Sequence, residues 1–133
     1  MAEIIINKST GTHKVEHLKV SPKKKVIGHI NGISFVDADT MHHVFYFPSL
    51  DASGYGNTFE EAQQMALDSA NETLRYLMDA DPGESQRLLK SLGWSQDKMF
   101  RKNFSHAHVD SDGVLQGFNV VENSVQKISM TAA

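Results

Sequence analysis

Phe45-Tyr46-Phe47-Pro48-Ser49-Leu50-Asp51-Ala52-Ser53-Gly54-Tyr55-Gly56-Asn57-Thr58-Phe59-Glu60-Glu61-Ala62 is the stretch whose reading decides the fold. His43 to Phe47 is the strongest strand former in the chain, aromatic and β-branched throughout. Both of its faces are apolar, so both are expected to be covered. Pro48 ends it, because proline has no N–H to give to a ladder. Leu50 to Gly56 then reads as a short strand running into a turn. Thr58 and Glu61 have the Thr-x-x-Glu spacing of a capping box, in which a hydroxyl and a carboxylate each accept from an otherwise orphaned amide.

Downstream of that cap, Phe59, Ala62, Ala66, Ala70, Thr73, Leu74 and Leu77 recur at three- and four-residue spacing. This is one apolar stripe on a helix of some 20 residues, about 30 Å long. Its alanines allow close approach to a sheet, and Gln63, Gln64, Asp68, Glu72 and Arg75 are expected to point away. Asp81-Pro82-Gly83-Glu84 stops this helix and caps a second, shorter one. Leu88, Leu89 and Leu92 lie on one side of that helix, Gly93 ends it, and Trp94 is expected to pack back on the core. Residues 95–117 read as polar and irregular, and Phe118 to Val121 and Val125 to Met130 as two strands.

Upstream, Val26, Ile27, Ile30, Ile33, Phe35 and Val36 are β-formers interrupted by Gly28 and Gly32. They predict a bent strand, or two short ones, with the glycines at bulges. Asp37-Ala38-Asp39-Thr40 is a turn. The reading is thus an α+β domain over residues 25–133: an antiparallel β-meander, one long helix packed on it, a short second helix and C-terminal strands. Residues 1–24 are expected to be a polar, basic N-terminal extension, with Glu3-Ile4-Ile5-Ile6-Asn7 as a short edge strand.

The run from Phe45 to Ala62 resembles the signature of the HicB-like antitoxin superfamily. There an aromatic strand ends in proline and leucine, and a glycine, a polar residue and a threonine precede Glu-Glu-Ala at the helix start. Here those positions are Pro48, Leu50, Gly56, Asn57, Thr58, Glu60, Glu61 and Ala62, with Ala66, Ala70, Leu74 and Tyr76-Leu77 continuing the helix. Leu92-Gly93-Trp94 is similar to a subgroup of stand-alone HicB-like proteins. The resemblance covers roughly residues 25–94. It implies a β-β-β-α-β core of the partial RNase H-like kind, and neutralisation of a small HicA-type toxin, an RNA-cleaving protein with a double-stranded-RNA-binding fold. Residues 95–133 show no second pair of amphipathic helices, so operator binding is not carried over.

Composition narrows the function classes. The 133 residues contain no cysteine, which excludes disulfides, thiolate metal sites and thiol catalysis. No apolar run approaches the roughly 18 residues that span a bilayer, and the N-terminus does not read as a signal peptide. A cytoplasmic protein without a membrane is expected. The formal net charge of −3 argues against general nucleic-acid binding. Its distribution is uneven: residues 1–25 carry six lysines against Glu3 and Glu16, a net +4, and the rest carries −7. Such a basic leader suits a solvated surface, phosphates or an acidic partner.

Catalytic constellations are sparse. A two-metal nuclease needs converging carboxylates, and the candidates Asp37, Asp39, Asp51, Glu60 and Glu61 fall in turns and at a helix cap. No carboxylate is read within an apolar strand. Alternation places His106, His108 and Asp110 on one strand face, the best metal-like spacing and the basis of an alternative reading as a metal-assisted hydrolase. His42-His43 are adjacent and face opposite ways. Gly54-Tyr55-Gly56-Asn57 lacks the third glycine and the lysine of a phosphate loop, and no Gly-x-Ser-x-Gly elbow occurs. The expectation is a non-enzymatic, HicB-like protein-binding domain without cofactor or catalytic residues, self-associating, with a HicA-type toxin as the candidate partner. A structural oligomer is a further alternative. The residue-level reason is the strand His43 to Phe47: Phe45 and Phe47 take one face, Val44 and Tyr46 the other, and a single helix covers only one.

Overall fold

A computed structural model of the chain describes residues 4–7, 15–21, 25–100, 103–107, 115 and 118–132. The chain order is β1 (Ile4–Asn7), β2 (Val15–Ser21), β3 (Lys25–Val36), β4 (His43–Phe47), β5 (Ala52–Gly56), α1 (Phe59–Asp79), α2 (Pro82–Ser91), β6 (Ser95–Gln96), β7 (Asn103–Ala107) and β8 (Gln126–Ala132). The fold is α+β, as expected: an antiparallel sheet with one long helix on it, a second short helix and C-terminal strands.

The meander is present as β3–β4–β5, with Ile33 opposite Tyr46 and Phe45 opposite Gly54. β8 pairs along the other edge of β3, from Gly28–Ala132 to Ser34–Gln126. β3 is not broken. Its registers run through Gly28 and Gly32 without an extra residue on either side, so the expected bulges do not occur.

The expected N-terminal extension is corrected by the sheet. β2 pairs with Lys25–His29 of β3 on one side and with β7 on the other, and β1 pairs with β8. Within the described residues the strands follow the path β1-β8-β3-β2-β7-β6, and β4–β5 leave it from β3. The boundary at residue 25 misplaces β2 because its burial comes from partners distant in sequence. Glu16, Leu18 and Val20 face inward, while His17 and Lys19 between them are exposed. The expected irregularity of residues 95–117 is likewise interrupted by β6 and β7. Phe118–Val121 is not a strand: Val120 forms a single bridge with Asp37, and Val121 donates its amide to the Val36 carbonyl.

α1 lies across β4 and β5. Phe45, Phe47, Ala52, Ala62, Ala66, Ala70, Leu74 and Leu77 form the centre of the core, joined by Ile30, Ile128 and Met130 from β3 and β8. The alanine stripe is needed at Gly54. A Cβ there would fall 2.4 Å from both the Ala62 carbonyl oxygen and the Ala66 nitrogen. Gln63 is buried, contrary to its expected outward position. The cap is present, with Thr58 Oγ1 accepting from the Glu61 amide at 3.2 Å. Glu61 reaches one residue further than a standard capping box, accepting from the Asn57 amide at 2.8 Å. α2 starts at the Asp81 cap and stops at Gly93, whose φ of +95° suits a residue without a side chain. Trp94 is buried behind it, as expected.

Candidate functional site

Two places concentrate functional chemistry: a buried polar junction inside the sheet and an exposed aromatic row on its outer face.

The junction exists because β3 changes partners along one edge. Lys25–His29 pairs with β2 and Ile33–Val36 with β4, and β8 fills the opposite edge between. In the gap the Asn31 amide has no strand to donate to. It donates instead to Glu16 Oε2 at 2.9 Å, and the Ser49 hydroxyl donates to the same oxygen at 2.7 Å. Glu16 is 2% exposed and Ser49 fully buried. A lone buried carboxylate costs several kcal/mol of desolvation; here two donors offset that cost.

His106 completes the junction. It sits opposite Glu16 in the β2–β7 register, with Nδ1 4.0 Å from Glu16 Oε1. Its Nε2 lies 2.9 Å from the Leu92 carbonyl, which can only accept, so Nε2 carries a proton. The Trp94 ring meets the imidazole edge-on at 5.2 Å, and Trp94 Nε1 donates to the Ser49 carbonyl at 2.8 Å. The junction therefore ties β2, β3, β7, the β4–β5 turn and the end of α2 to one point. The Ser49 hydroxyl proton is aimed at a carboxylate in a closed interior, which is the geometry of a structural lock rather than of a nucleophile.

The candidate ligands suggested by sequence spacing do not assemble into this junction. Only His106 of the His106, His108 and Asp110 set enters it, and His108 and Asp110 lie outside the described residues. Asp37 and Asp39 organise their own turn, Asp37 Oδ1 accepting from the Asp39 amide and Oδ2 from the Thr40 hydroxyl. Asp51 accepts from the Tyr46 hydroxyl at 3.3 Å, and Glu61 is occupied by the cap. Among the described residues no three histidine, aspartate or glutamate side chains are grouped to hold a metal ion. No helix among them is long and apolar enough to cross a membrane. Sequence reading missed Glu16. Its signal was the alternation Glu16-x-Leu18-x-Val20, which places a carboxylate on the inward face of a strand amid lysines.

The outer face carries the second feature. Phe35 and Ile33 are buried there, Phe35 under the ring of Phe118 at 5.0 Å. The C-terminal segment thus covers one end of the face that the helix leaves open. Beyond it Val44 and Tyr46 are half-buried, and Tyr55, beside Val44 on β5, is 59% exposed. His42 stacks on Tyr55 with ring centroids 5.8 Å apart. Met41, held at φ +58°, and Phe118 are exposed at the rim. Burial, then the neighbouring Asp51 charge and its hydrogen bond, hold the Tyr46 phenol above its ordinary pKa. Tyr55 and Phe118 are thus the solvent-facing aromatics of the sheet face opposite α1.

No protein-family model, no curated protein and no solved structure matches this chain.

Proposed function

We propose that this protein is a non-catalytic binding module of the HicB-like type, working in the cytoplasm and away from membranes by covering the surface of a protein partner and associating with copies of itself. The candidate partner is a small HicA-type RNA-cleaving toxin. The observation that carries the reading is the outer face of β3–β5, where Phe118 packs on the buried Phe35, His42 stacks on the exposed Tyr55, Tyr46 is half-buried, and neither α1 nor α2 lies. Contiguous exposed aromatics on a preformed sheet are a feature of interaction sites.

The test is a search for a small toxin-like reading frame beside this chain and, where one is found, calorimetric titration with its product alongside growth rescue on co-expression. Saturable stoichiometric binding is expected, weakened at least tenfold by Tyr55→Asp, since a charge at an exposed position alters the surface without disturbing the core. Absence of a small toxin-like neighbour and of any co-purifying small protein removes the antitoxin role. A transition-metal titration separates the hydrolase alternative. No tight site is expected, because both imidazole nitrogens of His106 face groups of the fold. Stoichiometric metal binding lost in His108→Ala would replace the binding-module reading.

A further inference from the structure

The aromatic row is not the most exposed apolar feature. Met99 is 85% exposed and Phe100 63%, side by side in the connection between β6 and β7. The backbone holds them there. Asp97 Oδ1 accepts from the amides of both Met99, at 2.8 Å, and Phe100, at 2.9 Å, while the Asp97 amide donates to the Asn103 carbonyl. The Phe100 and then the Met99 hydrogen bond keep the Asp97 carboxyl below the usual carboxylate range. The tip is pre-organised to present two apolar side chains to solvent.

Its sequence is mainly positive. Asp97-Lys98-Met99-Phe100-Arg101-Lys102 has three cations against the one acid, Asp97. Lys19 pairs with Asn103, and Ser21 with Lys25, so the β6–β7 and β2–β3 connections leave the sheet at the same end. Of the described cations, Lys19 and Lys98 lie at that end, both exposed. Lys90 of α2 and Lys98 border one shallow groove beside Trp94.

The complement lies on α1. Its 21 residues contain Glu60, Glu61, Asp68, Glu72 and Asp79 against the single cation Arg75. Residues eleven apart on a helix fall within about 20° of each other, so the exposed Met65 and Tyr76 share one line. Glu61, Asp68, Glu72 and Asp79, all exposed, flank that line within about one side of the helix. Among the described residues, one surface sets Met99 and Phe100 near the cations Lys98, Lys19 and Lys90; the other sets Met65 and Tyr76 among carboxylates.

We propose that the β6–β7 tip of one copy docks on the outer stripe of α1 of a second copy, Met99 and Phe100 against Tyr76, with Lys98 facing Glu72 one helical turn before it. This deepens the self-association in the function proposed above and rests on that part of it. A single contact of this size involves far fewer than the roughly 20–30 residues a side of a specific interface. Association is therefore weak and screened by salt, and a twofold dimer that makes the contact twice is its natural closed form.

Sedimentation velocity on the full chain over a concentration series tests the contact. At about 50 mM salt the weight-average sedimentation coefficient is expected to rise with concentration, and at about 500 mM the rise is expected to vanish. The double variant Met99→Ser, Phe100→Ser is expected to stay monomeric, and its exposed positions leave the fold intact by circular dichroism. Lys98→Glu and Glu72→Lys are each expected to weaken association several-fold, and the two combined to restore it. Association indifferent to salt and to these variants overturns this surface while leaving self-association in place. A chain monomeric at every concentration overturns both. A monomer whose tip instead retains it on anionic vesicles or on a single-stranded oligonucleotide reassigns the tip and overturns the proposal.

Discussion

The Thr58–Glu61 cap and the Glu16 junction both place side-chain oxygens against backbone amides, yet they differ in reach and in burial. The cap is local. Donor and acceptor lie three or four residues apart, all exposed, at the start of a helix whose apolar stripe already orients it. The junction joins Glu16 to Asn31, Ser49 and His106, partners separated by up to 90 residues, in a closed interior. A solvated cap that is lost is replaced by water. A buried donor that loses its acceptor has nothing to replace it, so the two devices should differ in energetic weight by several-fold.

Glu16→Ala gives the largest expected effect. It strips the acceptor from the Asn31 amide and the Ser49 hydroxyl together and should cost about 3 kcal/mol or more in urea unfolding. Glu16→Gln keeps one carbonyl oxygen and should recover a substantial part. If Glu16→Ala costs no more than loss of the cap, the junction is not the lock that its geometry describes. Gly54→Ala probes the other half of the molecule sterically. The added Cβ meets backbone atoms of α1 that cannot rotate aside, and the expected loss is about 2 kcal/mol.

The same contrast explains which parts of the fold were legible in the sequence. α1, its cap, the α2 stop at Gly93 and the meander from β3 to β5 are written in neighbours a few residues apart: Thr58 with Glu61, Phe45 with Phe47, Ala62 with Ala66 and Ala70. β2 and β7 are not. Each alternates polar residues outward with a mixed inward face, Glu16-Leu18 on one and Phe104-His106 on the other, and each becomes buried only when it pairs with the other some 88 positions away. Within the candidate site His106 is legible from its spacing only as a ligand in the alternative metal-assisted reading, because its partner Glu16 lies in a lysine-rich segment that reads as solvated. Gln63 failed for the same reason, since its burial is a property of what surrounds α1.

Two smaller perturbations sharpen the difference. Trp94→Phe keeps an aromatic ring against His106 but removes the donor to the Ser49 carbonyl, with an expected loss of about 1–2 kcal/mol. Thr58→Ala removes one exposed cap bond and should cost about 1 kcal/mol. Native-state hydrogen exchange distinguishes them further. The cap variant should accelerate exchange in the first turn of α1 alone, whereas the Trp94 variant should accelerate it at β4–β5, β7 and the end of α2 together.

The smallest effect concerns the outer face. The Tyr46 phenol is held above its ordinary value of about 10, chiefly by burial and then by the Asp51 carboxylate. A raised folded-state value means that the native chain keeps this proton where the unfolded chain gives it up. Its contribution to stability is whole below pH about 10 and is lost as pH rises through the folded value. In an alkaline titration followed by tyrosinate absorbance, the Tyr46 transition, identified as the one missing in Tyr46→Phe, should therefore lie above the ordinary phenol value. Asp51→Asn removes the charge and weakens the hydrogen bond but leaves the burial, and asparagine tolerates the φ of +49° at that position. The Tyr46 transition should then move only part of the way back. A complete return would mean that the carboxylate, not the packing of the outer face, controls the phenol, and the aromatic row would be more open to solvent than its neighbours Phe35 and Val44 indicate.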